Sequence, residues 1–214
     1  MIVPLWAVIV CFIVIVLVVW GLVARRANHP CPAWLSCLVE FDNPIFRSHR
    51  AAVIIANLDL KPGMRVLDVG CGPGRLTIPM AKIVGSKGRV VAVDLQEGML
   101  RRVEITARRS DLTNIEISQV KMGNGKLTPD RFNRAVLVMT LGEIPNKEAA
   151  LKEIFESLVP GGVLALAEMI ADPHFQSRNK ALALATAAGF RESFRIGGRF
   201  AFVLYLEKPM ETPS

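Results

Sequence analysis

The residues best suited to chemistry begin at the end of a short apolar stretch. Asp68 ends that stretch and leads directly into a turn with glycines at 70, 72 and 74. Glycines let a turn adopt left-handed backbone conformations and let a ligand approach the main chain. A carboxylate such as Asp68 is poorly suited to a pyrophosphate and well suited to an ammonium group. The turn therefore predicts a site for a ligand that carries a positive charge.

A second acidic residue, Asp94, ends the next apolar stretch, 20 residues after Gly74. An acid at this position can accept hydrogen bonds from both hydroxyls of a ribose. The third glycine of a dinucleotide-binding fingerprint would stand at Arg75, and the lysine of a phosphate-binding loop is absent from the sequence. These features indicate a ribose ligand with a cationic group and no phosphate, which describes S-adenosylmethionine better than NAD or ATP.

The elements that must position these acids alternate along the chain. Strands are predicted at 65–69, 89–94, 115–120, 134–140 and 163–167, and helices at 45–60, 73–84, 98–109, 147–158 and 175–188. Two further strands, 190–196 and 199–207, flank Gly197-Gly198, which is a strong hairpin signal. Strands that alternate with helices favour an α/β fold with a doubly wound, mostly parallel, seven-stranded sheet. The closing hairpin adds antiparallel pairing.

Three motifs carry a resemblance to a known family. They are D-V-G-C-G-P-G at 68–74, V-V-A-V-D-L at 90–95 and V-P-G-G at 159–162. Together they resemble class I S-adenosylmethionine-dependent methyltransferases, most of all the ubiquinone/menaquinone methyltransferase-like branch, which also includes bacterial phospholipid N-methyltransferases. The resemblance covers about residues 45–207. It implies a Rossmann-like methyltransferase fold and S-adenosylmethionine as the cofactor.

The resemblance also implies roles for individual residues. Leu95 and Met99 would pack on the adenine. Asn124 stands where many relatives have an aspartate that bonds the adenine amino group, and Asn133 replaces the aspartate usual before the fourth strand. The expected cofactor-binding residues are Asp68, Gly70, Cys71, Gly72, Gly74, Asp94, Leu95, Met99, Asn124 and Thr140.

The acceptor side of the site is expected where the fourth strand ends. The resemblance implies that Glu143 falls beside the reactive methyl group, so it is the first catalytic candidate, with a helix N-terminal carboxylate as its alternative role. His174 is the second candidate, with an exposed loop residue as its alternative. Glu168, at the end of the fifth strand, is interpreted as structural. Neither a metal nor a covalent nucleophile is expected, because the leaving group is built into the cofactor.

The N-terminal stretch predicts a membrane anchor. Residues 1–24 contain no charged side chain, and Arg25 and Arg26 follow at once. As a helix the stretch would be about 36 Å long, enough for a hydrocarbon core of about 30 Å. A cleaved signal peptide would need a basic start, which is lacking. The sequence thus predicts a single-pass transmembrane helix at 1–24, a juxtamembrane segment at 25–44, and a methyltransferase domain at 45–214 that faces the cytoplasm.

The charge and the anchor together favour a lipophilic substrate. The net charge is +7, and basic residues lie close behind the apolar stretch, which indicates an anionic membrane surface. No aromatic-interleaved basic stripe is present, so no nucleic-acid partner is expected. The first hypothesis is a membrane-anchored methyltransferase that acts on a quinone precursor or a phospholipid amine. Two alternatives remain: arsenite or thiol methylation with Cys31 and Cys37, and a non-catalytic binding protein, motivated by Asn124 and Asn133.

Overall fold

The structure is a computed structural model of the whole chain. It describes residues 46–127 and 131–210, together with Pro4, Trp6, Val8, Cys11 and Phe12. Apart from those five residues, the predicted anchor at 1–24 and the juxtamembrane segment at 25–44 lie outside the described residues. Among the helices of the described ranges, none combines the length and the apolar composition that a bilayer-spanning segment needs.

One seven-stranded sheet organises the described part of the chain. Its strands are β1 (Arg65–Val69), β2 (Arg89–Asp94), β3 (Ile115–Gln119), β4 (Phe132–Val138), β5 (Leu158–Met169), β6 (Arg191–Gly197) and β7 (Ala201–Glu207). The order across the sheet is β3-β2-β1-β4-β5-β7-β6. Strands β1 to β5 are parallel, whereas β7 runs antiparallel to both β5 and β6. The predicted mostly parallel sheet with a C-terminal antiparallel hairpin is confirmed.

Helices cover both faces of this sheet. They are α1 (Ala51–Ala56), α2 (Thr77–Val84), α3 (Glu97–Arg109), α4 (Lys147–Ser157) and α5 (Arg178–Ala187), with 3-10 helices at Arg47–His49 and Leu141–Glu143. One core layer joins α1 and α2 to side chains such as Val66 and Val136. The other joins α4 and α5 to side chains such as Leu67 and Leu137. Because successive strand residues point to opposite faces, two apolar layers require strands that are apolar throughout, as β1 and β4 largely are.

Several element boundaries differ from the predictions for local backbone reasons. The helix predicted at 45–60 is a 3-10 helix followed by α1, because Arg50 between them is extended, with φ −68° and ψ 136°. Helix α2 begins at Thr77 instead of residue 73, since the glycine turn occupies the residues before it. Strand β4 ends at Val138 instead of Thr140, because Met139 adopts a left-handed conformation with φ 52°.

Strand β5 is longer than predicted and begins at Leu158. The segment that contains Gly161 and Gly162 was expected to precede the strand at 163–167, but it is itself part of β5. The N–H of Gly161 donates to the carbonyl of Lys208, and the N–H of Lys208 donates to the carbonyl of Gly162, both at 2.8 Å. These two bonds continue the antiparallel pairing of β5 and β7 towards the start of β5 and beyond the end of β7.

The topology assembles the site at one edge of the sheet. The chain order reverses between β1 and β4, and ligands of open α/β sheets bind at such a switch, beyond the carboxyl ends of the strands. Met169 at the end of β5 pairs with Ala201 at the start of β7, so the tip of the β6–β7 hairpin lies at this same edge.

Candidate active site

The glycine turn crosses the carboxyl ends of β1 and β2. The N–H groups of Gly70 and Cys71 both donate to the carbonyl of Val93, at 2.7 and 3.0 Å. Gly70 has φ +67°, and a Cβ placed there would lie 2.3 Å from Oγ1 of Thr140, so only glycine fits under that side chain. Gly72 has φ +53°, and a Cβ there would meet nothing within 4 Å. The turn therefore packs tightly at Gly70 against the segment that follows β4, and it leaves open space beside Gly72.

Asp94 holds this turn with one carboxylate oxygen and the start of α3 with the other. Oδ2 accepts from the N–H of Gly72 at 3.0 Å, and Oδ1 accepts from the N–H of Gln96 at 2.8 Å. Burial raises the pKa of Asp94 above its ordinary value, and these two N–H groups oppose the rise. Each carboxylate oxygen has a second lone pair, so Asp94 can still accept hydrogen bonds from the two hydroxyls of a ribose.

Asp68 is almost fully buried beneath the turn. It is 3% exposed, and its Oδ2 accepts from the hydroxyl of Thr77 at 2.6 Å. Burial raises the pKa of Asp68 to about 6, while the Thr77 hydroxyl and the Arg75 guanidinium favour its ionised form. The bond joins the end of β1 to the first residue of α2, so Asp68 fixes the position of the turn that carries the glycines.

Cys71 sits within the turn as a buried neutral thiol. Its Sγ donates to the carbonyl of Gly72 at 3.5 Å, and burial followed by the nearby Asp68 and Asp94 raises its pKa far above the ordinary value. A thiol held in this form is neither a nucleophile nor a thiolate ligand. Gly74 closes the turn, with its N–H donating to the carbonyl of Cys71 at 3.1 Å. Cys31 and Cys37, which the thiol-methylation alternative requires, lie outside the described residues.

The residues predicted to contact an adenine lie further along the same edge. Leu95 follows β2 and is 49% exposed, whereas Met99 in α3 is 3% exposed. Asn124 is exposed in the loop after β3. Glu153 of α4 fixes that loop, because its carboxylate accepts from the N–H groups of Gly123 and Gly125. A carboxylate two helical turns into α4 thus fixes the position of the Asn124 loop. The sequence analysis missed this contact.

Asn133 lies away from this site. Its Oδ1 accepts from the N–H of Arg65 at 2.9 Å, so it joins the first residue of β1 to the start of β4. Those strand starts form the opposite edge of the sheet from the glycine turn. Asn133 helped to motivate the non-catalytic alternative, but its amide joins two strands at the far edge of the sheet, a role that needs an oxygen acceptor and no charge.

The two catalytic candidates are brought together beyond β4. Glu143 ends the 3-10 helix Leu141–Glu143, and its neighbour Gly142 packs directly against the backbone of His174. His174 is 7% exposed, so its alternative role as an exposed loop residue was wrong. Asn146 caps α4 by accepting from the N–H of Ala149 at 3.0 Å, whereas Glu143 stands in the first turn of the 3-10 helix, which agrees with its alternative role as a helix N-terminal carboxylate.

Glu168 is a buried acid that the sequence analysis interpreted as structural. It is 1% exposed, and its Oε2 accepts from the N–H of Gln176 at 3.0 Å, while its Oε1 has no hydrogen-bond partner among the described residues. Burial, with the charges of Asp172 and Glu143, raises its pKa to about 8, against the opposing effects of Gln176 and Lys147. Glu168 therefore holds its proton to a higher pH than an ordinary carboxyl group and is close enough to Glu143 for their charges to interact.

A buried histidine fastens the segment before α1 onto the site. The ring Nε2 of His49 donates to the carbonyl of Glu168 at 3.1 Å, and its own carbonyl accepts from the Arg75 guanidinium at 2.9 Å. Burial lowers the pKa of His49 to about 4, which keeps the ring neutral. His49 and Arg75 thus tie the ends of β1 and β5 together. An isolated histidine in an apolar helical pattern gave the sequence analysis no sign of this long-range pairing.

Comparisons with known proteins agree with this geometry. The chain is 33% identical over 117 residues to the ubiquinone/menaquinone biosynthesis C-methyltransferase UbiE of Vibrio vulnificus, covering 53% of this chain and 45% of that protein. It is 32% identical over 116 residues to the demethylmenaquinone methyltransferase of Staphylococcus saprophyticus, covering 54% and 48%. The chain therefore spans about half the length of the curated relatives it matches.

The fold comparison reaches further along the chain. A SAM-dependent methyltransferase from Aquifex aeolicus superposes with a TM-score of 0.73 at 22% identity, covering 84% of this chain and 100% of that one. A family model described as a methyltransferase domain matches residues 60–196. This likeness confirms the Rossmann-like methyltransferase fold.

The residues at the switch point fit the cofactor that this family implies, S-adenosylmethionine. The open space beside Gly72 leaves room for a ligand against the turn, and the Asp94 oxygens suit a ribose. No lysine of a phosphate-binding loop is present to favour a phosphorylated nucleotide. Since the family model also covers more than half of the sequence, the chain belongs to the class I S-adenosylmethionine-dependent methyltransferase domain family.

Proposed function

We propose that the chain transfers a methyl group from S-adenosylmethionine to a lipophilic acceptor, either a quinone precursor or a phospholipid amine. The observation that carries the proposal is the contact between Gly70 of the cofactor turn and Thr140, which leads directly into the segment with Glu143. The glycine turn is therefore in direct contact with the segment that leads to the acceptor side of the site. The relatives named for ubiquinone and menaquinone biosynthesis support a quinone-type acceptor.

The chain's own residues have three tasks in such a reaction. S-adenosylmethionine supplies an activated methyl group on a sulfonium, so alignment and exclusion of water account for most of the catalysis. Asp94 and the glycine turn hold and orient the cofactor. Glu143 accepts the proton from a hydroxyl or carbon acid as it is methylated, a contribution typically worth about 10²- to 10⁴-fold. An acceptor that is already a neutral amine needs no such base.

The proposal includes attachment to a membrane with the domain on the cytoplasmic side. Its support is the uncharged stretch at 1–24, followed by Arg25 and Arg26 with no basic residue before it. Attachment would raise the effective concentration of the site near lipophilic acceptors. The short segment that begins at Phe46 contacts the site directly, because His49 bonds to a backbone carbonyl there.

Product analysis tests this function. The purified full chain is incubated with isotope-labelled S-adenosylmethionine and either a total lipid extract or a water-soluble extract, and labelled products are identified by mass spectrometry. We expect label in a lipid-soluble product, and none with an Asp94→Ala variant. Label confined to water-soluble products would refute the lipophilic acceptor. Absence of cofactor binding in calorimetry at high micromolar concentration would instead support the non-catalytic alternative.

A further inference from the structure

Two large apolar side chains are exposed at the tip of the β6–β7 hairpin. We use "hairpin tip" for residues 197–200. The N–H of Ile170, just after β5, donates to the carbonyl of Phe200 at 2.7 Å, which continues the ladder from the pair Met169 and Ala201. Directly paired residues of an antiparallel ladder project to the same face. Ile170 is 47% exposed and Phe200 is 49% exposed, so the tip presents a small apolar surface.

Basic side chains flank this apolar surface. The Arg199 guanidinium lies 5.0 Å from the centroid of the Phe200 ring. The exposed Arg47 belongs to a 3-10 helix that reaches the tip, since a Cβ on Gly197 would lie 3.1 Å from Oγ of Ser48. Neither Arg47 nor Arg199 forms an ion pair with a carboxylate of the described ranges. An exposed aromatic ring beside an arginine, with a second exposed arginine on the adjoining 3-10 helix, is a composition that suits the interface of an anionic bilayer.

The tip borders the acceptor side of the site. Ile170 lies two residues after Glu168, and the loop that continues from it carries Asp172 and His174 over Gly142. The chain that enters at Phe46, which follows the uncharged stretch at 1–24, passes the tip before it reaches α1. A bilayer that held residues 1–24 would therefore be connected to the domain at this edge.

We propose that the hairpin tip, with Ile170 and Arg47, docks on the surface of a bilayer that contains anionic lipids, with the acceptor side of the site turned towards the membrane. This inference rests on the proposed function, since it gives a lipophilic acceptor a short route from the bilayer to Glu143. The apolar pair Ile170 and Phe200 inserts at the interface, and Arg47 and Arg199 contact lipid phosphates.

Photo-crosslinking of the full chain tests the docking. The protein is reconstituted in phosphatidylcholine vesicles with or without phosphatidylglycerol, each with a diazirine-bearing phosphatidylcholine, and adducts are mapped by mass spectrometry. We expect adducts on the peptides that carry Ile170 and Phe200, with higher yield in anionic vesicles. Ile105 of α3, which is 42% exposed, serves as the reference for an exposed apolar residue away from the tip.

Charge reversal supplies a matched pair of variants. Arg199→Glu should lower the adduct yield at the tip by about fivefold or more, because each basic side chain near an anionic surface contributes appreciably to attraction. Arg191→Glu makes the same change at the other end of β6 and should leave the yield unchanged. Equal yields in the two variants, or tip adducts no more frequent than those at Ile105, would overturn the proposal.

The same experiment separates this docking from the function it rests on. Adducts within residues 1–24 report the anchor, and calorimetric titration with S-adenosylmethionine reports the cofactor site. If lipid adducts form within residues 1–24 and the cofactor binds, but no adducts form at the tip, the docking alone is refuted. Loss of cofactor binding with tip adducts intact refutes the proposed function alone.

Discussion

Oδ2 of Asp94 accepts a hydrogen bond from the N–H of Gly72 at 3.0 Å, so the acid that ends β2 fixes the turn that follows β1. The second oxygen accepts from the N–H of Gln96, which leads into α3. One carboxylate therefore connects two strand–helix units of the sheet and presents its remaining lone pairs to the space beside Gly72. The proposed recognition of the ribose and the shape of the turn would then depend on the same side chain.

Asp94→Asn should weaken cofactor binding. The amide keeps one oxygen but replaces the other with a donor, which would face the N–H of Gly72 or Gln96. Loss of hydrogen bonds to a charged group contributes about 1.5–3 kcal/mol, or about 10- to 100-fold in Kd. Calorimetric titration with S-adenosylmethionine measures the change. Asp111→Asn, at an exposed left-handed position, is the control and should bind as the wild type does. Equal affinities in the two variants would contradict the role of Asp94.

A pair of glycine substitutions separates backbone strain from ligand clash. Gly72 and Gly63 both have positive φ, and a Cβ at either would meet nothing within 4 Å of the protein. Alanine at each site should destabilise the fold similarly, by about 1–2 kcal/mol. Only Gly72→Ala should also lose cofactor affinity, because its methyl group would enter the space beside the turn. Chemical denaturation and calorimetry measure the two effects, and unchanged affinity in Gly72→Ala would show that the cofactor does not approach there.

Glu143→Gln should reduce methyl transfer without weakening cofactor binding. The amide retains the shape of the side chain but cannot accept a proton from the acceptor. For a hydroxyl or carbon acid we expect a loss of about 10²-fold or more in kcat. Glu148→Gln, an exposed carboxylate in the first turn of α4, is the control. The rate is measured as label transferred from S-adenosylmethionine to the lipid extract. A normal rate would exclude Glu143 as the base and would favour an amine acceptor.

Glu168 should make the protein less stable as the pH rises. Its pKa is raised from an ordinary 4.5 to about 8 in the folded state, so the folded chain retains a proton that the unfolded chain has released. The stability that this proton confers is complete below the unfolded pKa and is lost as the pH rises towards 8. Between pH 6.5 and 8 the free energy of unfolding should fall by about 1 kcal/mol per pH unit.

Glu168→Gln should remove this pH dependence, because a neutral amide replaces the protonated carboxyl group. His49 and Asp68 also titrate near this window, because the pKa of His49 is lowered from 6.5 to about 4 and that of Asp68 is raised from 3.8 to about 6, but they do so equally in the wild type and the variant. The difference in stability between the two proteins therefore isolates Glu168. Urea denaturation at several pH values measures the effect. Glu156→Gln, an exposed carboxylate of α4, is the control. A wild-type stability that stays constant across this window would contradict the burial of a protonated Glu168.

The strands and the cofactor turn were predictable because their signals are local. The apolar run before Asp68, the glycines after it and the second acid at Asp94 each lie within one βα unit, and the structure places them together. Gly197-Gly198 likewise predicted the hairpin, because a tight turn requires residues that tolerate left-handed conformations. The order of the strands is less local, and the sequence analysis did not predict it.

The acceptor side was not predictable because its contacts are long-range. The bond from His49 to the carbonyl of Glu168 spans 119 positions in the sequence. Glu168 looks like the polar end of an apolar strand, and nothing near it in the sequence shows that one oxygen is enclosed without a partner. Asn133 is a further case: the sequence analysis noted it only as a departure from the family pattern, and the structure shows that it accepts from the backbone of Arg65 at the far edge of the sheet.

The backbone conformation of Met139 limits how the thermal stability of this domain can be increased. Its left-handed backbone is unfavourable for a residue with a long side chain, by about 1–2 kcal/mol. The bend at Met139 places Thr140 against Gly70. The unfavourable conformation persists because the packing of the rest of the domain stabilises it. Thermostabilising substitutions should therefore be sought elsewhere first. Relaxing this bend would raise the stability of the domain but would also change the geometry of the proposed site.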